Sequence, residues 1–207
     1  MRLKRLMILI LVLGIAVLSI IDYHGREQRS PLNNPPPMRS LGGPDAVIKI
    51  VAFVDFRSLE CGRGAEALKD FISRHSLEDV ALSVRYFPEV ENNAIRSAVY
   101  VECMSRQNKF WEYQDLLFQK QFQWHDLPDP ESVLKLLALE AGAGDQALEG
   151  CLADPKTRAV VLNEQAYGES LFIRSVPAYF VNGKMLEGVE PLSRELQTLH
   201  KKFFEEW

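Results

Sequence analysis

The sequence contains few of the residues that build metal sites or disulfide scaffolds. Its 207 residues include only three cysteines and four histidines. The cysteines are too few and too scattered for a structural zinc site or a disulfide-rich scaffold. The histidines do not stand at metal-ligand spacing, which favours ordinary solvated positions at helix ends or in loops. The four are His24, His75, His125 and His200. The composition therefore excludes a chain held together mainly by metal ions or by cross-links.

The chain also lacks the charge pattern of a nucleic-acid-binding protein. It has 24 Lys and Arg against 28 Asp and Glu, a net charge of -4, and no basic stripe beyond the extreme N-terminus. Such a surface does not attract a phosphate backbone. We find no internal repeat, and the glycines near residues 142–145 lie between predicted helices, where no phosphate loop forms. With 47% hydrophobic residues, the chain can bury the core of one globular domain.

The N-terminus carries a targeting or anchoring pattern. Arg2, Lys4 and Arg5 precede an apolar run of 16 residues, 6–21, without a convincing cleavage site after it. We interpret residues 1–21 as an uncleaved, single-pass signal anchor, with a cleaved signal peptide as the alternative. Both interpretations place the globular part in the periplasm or outside the cell, where disulfides persist. Residues 22–45 contain five prolines and are predicted to form an extended tether.

The remaining sequence, residues 46–207, alternates between strand and helix patterns. Two apolar stretches predict strands, and the segment between them predicts a helix. Helical patterns then fill a region of about residues 93–171, before a strand, an Asn-Gly turn, a second strand and a last helix. The predicted strands cover residues 47–54, 80–87, 177–181 and 184–186, and the flanking helices cover residues 65–72 and 191 onwards. This order predicts an α/β thioredoxin fold interrupted by a helical insertion.

The turn between the first strand and the first helix is the candidate site. A Cys-x-x-Cys pair at such a turn is a dithiol site, because the helix N-terminus stabilises the thiolate of the leading cysteine. Here the leading position is Ser58, and only the trailing Cys61 is present. The alternative is that both residues have purely structural roles. Ser58 is then an ordinary helix N-cap, and Cys61 is a small buried apolar residue.

Several segments resemble the DsbA-like branch of the thiol-disulfide oxidoreductases. The resemblance covers residue 41 to about residue 202, and it rests on the order and spacing of the segments rather than on any one of them. They are LG at 41–42, FVD at 53–55, CMSRQNKFWEY at 103–113, GCL at 150–152 and SVPAYFVNG at 175–183. The usual Cys-Pro-x-Cys of that family is Ser58-Leu59-Glu60-Cys61 here, so the resemblance implies a redox site that lacks its nucleophile.

The resemblance also implies roles for residues outside the turn. Val176 and Pro177 match the cis-proline loop, whose backbone would pair with an extended substrate peptide. The other reading of this loop is a tight turn that serves only the fold. Cys103 and Cys151 correspond to cysteines of some relatives, which implies a structural disulfide that contributes ~4 kcal/mol. The alternative is two buried, reduced cysteines.

Three functions follow from these patterns. The leading hypothesis is an anchored, exported protein with a degenerate site, which binds an extended peptide or a protein thiol in the cell envelope, or takes an atypical part in disulfide chemistry there, and needs no cofactor. The second is a glutathione-dependent transferase or isomerase, because residues 55–58 resemble the Asp-x-x-Ser pattern of kappa-type transferases, in which a serine hydroxyl activates glutathione. The third is a purely structural subunit of an envelope complex. Ser58 is central to the first two.

Overall fold

A five-stranded mixed sheet forms the centre of the protein. The computed structural model describes residues 13–15, 17–18, 35–89 and 92–205. Along the chain the strands are β1 (Ser40–Leu41), β2 (Ile48–Val54), β3 (Val80–Tyr86), β4 (Ala178–Val181) and β5 (Lys184–Glu187), in the spatial order β1-β3-β2-β4-β5. The central β2 pairs in parallel with β3 and antiparallel with β4. It reads as a continuous apolar run because both of its faces are covered; Ile50 and Phe53 are each at most 1% exposed.

Helix α1 (Leu59–Ser73) follows β2 directly and is longer than the sequence predicts. The apolar pattern predicts a helix over residues 65–72, with Ser58 as a candidate N-cap before it and a first turn that Gly62 and Gly64 weaken. Both glycines have packing roles inside the helix. A Cβ at Gly62 would lie 2.7 Å from the Gln121 side chain, and a Cβ at Gly64 would overlap the Tyr179 hydroxyl. These positions therefore permit close approaches within the protein.

Five helices stand between β3 and β4, which confirms the predicted helical insertion. They are α2 (Asn92–Arg106), α3 (Phe110–Gln119), α4 (Glu131–Glu140), α5 (Asp145–Ala153) and α6 (Pro155–Ser170). Their shared core contains large side chains that are fully buried, among them Tyr113, Leu117, Trp124 and Leu134. The insertion thus has an apolar core of its own, which continues into the core below the sheet.

The C-terminal hairpin completes the sheet, and the last helix joins the core that contains α1. Asn182 and Gly183 both have positive φ, +49° and +85°, as a two-residue hairpin turn between β4 and β5 requires. This confirms the predicted hairpin. Helix α7 (Val189–His200) packs against α1 and buries a leucine stripe, Leu192, Leu196 and Leu199. The helix continues as a π-helical turn over Lys201–Glu205.

The folded unit begins before residue 46, where the sequence predicts the end of the tether. A 3₁₀ turn, Pro37–Arg39, leads into β1, which pairs antiparallel with β3. Arg39 is only 5% exposed and donates two hydrogen bonds to the Glu164 carboxylate, at 2.7 and 2.9 Å. Its guanidinium also lies 3.9 Å from the centroid of the Tyr86 ring. The composition of residues 22–45 predicts an unstructured tether, but a single buried arginine holds the end of this stretch in place.

The predicted signal anchor falls mainly on residues that the structure does not describe. Of residues 1–21, only 13–15 and 17–18 are described, and the first part of the tether, 22–34, also lies outside the described residues. Within the ranges that the structure covers, no helix has the length and apolar character needed to cross a bilayer.

Candidate active site

Ser58 lies at the N-terminus of α1, at the end of the turn that leaves β2. Its backbone is extended, and its hydroxyl accepts a hydrogen bond from the Cys61 N–H at 3.3 Å. Its carbonyl accepts the Gly62 N–H at 3.2 Å, the first bond of the helix. This geometry is that of an N-cap, which satisfies one of the free donors of the first helical turn. The hydroxyl uses a lone pair for this contact and keeps its own proton.

Cys61 is the only free cysteine of the chain, and its thiol is buried. The side chain is 0% exposed, and its sulfur accepts the Asp55 N–H at 3.4 Å. Burial raises the pKa of Cys61 to about 12, although the hydrogen bond with Ser58 acts in the opposite direction. The Cys61 thiol is therefore protonated at neutral pH. Burial thus limits access to the sulfur and favours its protonated form.

Hydrogen bonds from three parts of the chain hold the turn in place. The Asp55 carboxylate accepts the N–H groups of Arg57, at 2.8 Å, and of Glu89, at 2.9 Å. Asp55 is 3% exposed, and burial raises its pKa. From the helical insertion, the buried Gln121 amide donates to the carbonyls of Phe56 and Ser58, at 2.8 and 2.9 Å. The turn is thus tied to the loop after β3 and to the insertion.

A polar pocket of about 250 Å³ opens beside the Ser58 hydroxyl. It is lined by Asp55, Arg57, Ser58, Glu89 and His125. Sequence patterns did not single out Glu89 or His125, since His125 resembles an ordinary loop histidine. One signal for Glu89 existed: β2 and β3 are parallel, so the residues that follow their carboxyl ends meet at one edge of the sheet. His125 and Gln121 belong to the insertion, and no local sequence pattern predicts their contact with the turn after β2.

The loop with Val176 and Pro177 lies at the same edge. The bond between these two residues is a cis peptide bond. Because Ala178 pairs with Phe53 at the end of β2, the preceding loop runs beside the turn that carries Ser58. Pro177 is buried, whereas Val176 is half-buried and makes no backbone hydrogen bond to the part of the chain that the structure describes.

The other two cysteines form a disulfide within the helical insertion. Cys103 of α2 and Cys151 of α5 are joined with a Cα–Cα distance of 5.6 Å and a sequence separation of 48. This bond is the predicted pairing. Closing a loop of that length removes ~4 kcal/mol of conformational entropy from the unfolded chain. The bridge lies in the insertion, apart from Cys61. No group of three or more His, Cys, Asp or Glu side chains suited to a metal ion exists among the described residues.

The sheet order, the capped turn after β2 and the inserted helices together define a thioredoxin-fold protein of the DsbA-like type. A family model described as Thioredoxin matches residues 34–199, which is most of the chain. The chain belongs to this thioredoxin family.

Comparisons with individual proteins agree with the fold. The thiol:disulfide interchange protein DsbL of Lelliottia amnigena is 27% identical over 171 residues, 77% of this chain and 71% of that protein. The structure of the thiol-disulfide exchange protein alpha-DsbA2 from Wolbachia pipientis matches with a TM-score of 0.70 at 14% identity, covering 86% of this chain and 92% of that one. A periplasmic thioredoxin-like protein from Salmonella enterica serovar Typhimurium gives 0.68 at 17%, covering 84% and 95%.

A further similarity involves much longer proteins. Over 151 residues the chain is 27% identical to the Na(+)/H(+) antiporter NhaA 1 of Mycobacterium sp. (strain KMS). The chain spans only 24% of that relative's length.

Proposed function

We propose that this protein is an exported, DsbA-like member of the thioredoxin family that binds extended peptides or protein thiols in the cell envelope without ordinary dithiol exchange. One observation carries the proposal: Ser58 presents oxygen at the start of α1, and the neighbouring Cys61 is 0% exposed. The redox site is, in this proposal, degenerate.

The chemistry of exchange requires a thiolate that can reach a disulfide. A serine hydroxyl does not ionise near neutral pH and forms no disulfide, so Ser58 cannot replace the leading cysteine in that reaction. Cys61 does not replace it either, because its pKa of about 12 and its burial oppose both ionisation and access. A monothiol route through Cys61 therefore has little support, and Ser58 acts in this proposal as a cap.

The surfaces beside the site support peptide binding. The free backbone groups of Val176 can pair with an extended chain, as in strand addition. A groove of about 620 Å³, which begins at the residue after Ser58, runs between α1 and α3 with the turn that follows α3, and two exposed apolar side chains line it. These are Leu59, 37% exposed, and Phe122, 78% exposed. Neither surface requires a sulfur at position 58.

We also propose that the folded domain lies in the periplasm or outside the cell, tethered to the membrane through residues 6–21. The basic residues before this apolar run favour a cytoplasmic N-terminus. The Cys103–Cys151 disulfide is of a kind that persists in oxidising compartments. The relative from Salmonella enterica is described as periplasmic.

Peptide binding is tested by nuclear magnetic resonance with two short, unstructured peptides that differ only in a central cysteine or serine. We expect both peptides to shift the amide signals of Ser175 and Val176, because the binding surface uses backbone groups. The amides of the β4–β5 turn, Asn182 and Gly183, lie at the opposite end of β4 and serve as the internal control. If neither peptide shifts the Val176 signal at saturating concentration, the peptide-binding proposal is wrong.

The glutathione-dependent transferase remains the second candidate because of one observation. The Ser58 hydroxyl accepts a bond and keeps its proton for donation into the polar pocket, as a serine that stabilises a bound thiolate must. Asp55 and Glu89 line the same pocket, and their carboxylates repel the two carboxylates of glutathione. Calorimetry with millimolar glutathione separates the candidates: measurable heat of binding that is lost in Ser58→Ala favours the transferase, and no binding removes it.

A further inference from the structure

An apolar cavity of about 390 Å³ lies between the sheet, α1 and α3, away from the polar pocket of Ser58. Its floor is formed mainly by β2 and β3 residues that are at most 5% exposed, and its remaining wall by α1 and α3, whose side chains there are mostly apolar but include Lys69, Ser73, Gln114 and Asp115. The main apolar lining residues are Val54, Leu68, Leu82, Val84, Trp111 and Phe118. A volume and lining of this kind are typical of small-molecule sites.

Two polar groups in this cavity wall lack partners. Gln114 is only 7% exposed, and its side-chain amide makes no hydrogen bond with the described residues; the amide is not fully buried and is open to the cavity. Tyr179, 1% exposed, also lines the cavity, and its hydroxyl is buried without a hydrogen-bond partner in the described structure. Buried polar groups are nearly always paired, so the Tyr179 hydroxyl is an exception that requires an explanation. The Gln114 amide can donate a hydrogen bond to a molecule in the cavity, whereas the buried Tyr179 hydroxyl lies against Gly64 and is closed to one.

The charges at the cavity mouth determine which ligand fits. Lys69 and Asp115 pair there with each other at 2.5 Å, and both side chains are partly exposed. No charged side chain lies among the buried wall residues, so a charged ligand would lose its hydration without compensation. A cluster of water molecules is a poor occupant as well, because each buried water needs two to four polar partners.

We propose that this cavity is a binding site for a small, uncharged, largely apolar molecule that carries one carbonyl group. The apolar body occupies the space over β2 and β3, and the carbonyl accepts a hydrogen bond from the Gln114 amide. The proposal does not depend on peptide binding or on the chemistry at Ser58. The cavity proposal can therefore be wrong while the proposed function is right, and the reverse.

Benzophenone is a suitable probe because it is uncharged, apolar and has one carbonyl, and because light attaches it to nearby C–H groups. The full-length protein in detergent is irradiated with benzophenone, and the attachment sites are mapped by peptide mass spectrometry. We expect attachment to concentrate on cavity residues such as Leu68, Trp111 and Phe118. Octan-1-ol in excess should reduce this labelling, whereas octanoate, of the same length but charged, should reduce it far less.

Two pairs of variants separate binding in the cavity from surface attachment. Ala65→Leu fills part of the cavity and should reduce the labelling at least tenfold, whereas Ala67→Leu on the same helix, outside the cavity, should not. Gln114→Leu keeps the wall apolar and removes the donor, so we expect a loss of about fivefold, the usual effect of one hydrogen bond. Gln146→Leu, an exposed substitution on α5, is its control.

The result that would overturn the proposal is equally direct. Labelling that is scattered over the surface, or that is as strong in Ala65→Leu and Gln114→Leu as in their controls, excludes a ligand site in this cavity. Circular dichroism establishes that each variant is folded. If Ala65→Leu does not fold, the comparison of Gln114→Leu with Gln146→Leu decides the question alone.

Discussion

The buried thiol of Cys61 permits a quantitative prediction for a disulfide reagent. In the native protein the pKa of this thiol is raised from 9.0 to about 12, mainly by burial. At pH 7 the thiolate fraction is therefore about a thousandfold smaller than in the unfolded chain. A more basic thiolate is a better nucleophile, and with a Brønsted coefficient of roughly 0.4–0.5 this recovers about 20-fold. The net expectation is a native reaction at least about 50-fold slower, before restricted access slows it further.

The assay is the reaction of the full-length protein with 4,4′-dithiodipyridine, with and without urea, over a range of pH. A group with a raised pKa gains thiolate tenfold per pH unit until the pKa is reached. The native rate should thus still rise between pH 9 and 10, whereas the rate in urea should level off near pH 9. Cys61→Ala should not react, which shows that the Cys103–Cys151 disulfide does not contribute. A native rate within about fivefold of the urea rate at pH 7, or a plateau below pH 9, refutes the reasoning.

Three further predictions concern the turn, the disulfide and the buried ion cluster. Ser58→Cys should create a pair with Cys61 that can be oxidised to a disulfide. Alkylation and intact mass should then find no free thiol before reduction and four free thiols afterwards. Two thiols that stay free after mild oxidation would contradict this. Cys103→Ser should lower the free energy of unfolding in urea by ~4 kcal/mol. As the matching control, a reductant should lower the free energy of unfolding of the wild type by the same amount. In the buried ion cluster, Arg39 and Arg85 both pair with the Glu164 carboxylate, at 2.7 and 3.0 Å. Glu164→Gln should therefore lower the free energy of unfolding by about 3–5 kcal/mol in the same measurement, whereas the exposed Glu169→Gln should change it by less than about 0.5 kcal/mol. Equal effects of the two substitutions would count against the cluster.

Much of the fold follows from local patterns in the sequence. The continuous apolar run of β2 predicts a central strand, the Asn182–Gly183 pair predicts the β4–β5 hairpin, and the helical periodicity predicts the insertion. The start of the domain could not be predicted from local patterns. The prolines before residue 46 mark an unstructured tether, yet Arg39 fixes that segment through Glu164, which lies 125 residues further along the chain. A contact over such a distance leaves no local pattern.

The candidate site was predictable in part for the same reason. The strand-to-helix turn places Ser58 and Cys61, because capping and helix geometry act over a few residues. The complete burial of Cys61 depends on how the neighbouring elements pack around it, which spacing in the sequence does not reveal. Gln121 and His125 reach the turn from the insertion, and Glu89 from the loop after β3. Such residues are brought together only by the packing of separate elements.

The turnover of insulin disulfides tests the central claim most directly. Full-length wild-type protein, Cys61→Ala and Ser58→Cys are compared in the presence of a reductant, against a sample without protein. With oxygen at position 58 and a buried thiol at position 61, the wild type should equal Cys61→Ala and the blank, and only Ser58→Cys should accelerate insulin reduction. Efficient turnover by the wild type that disappears in Cys61→Ala would contradict the account.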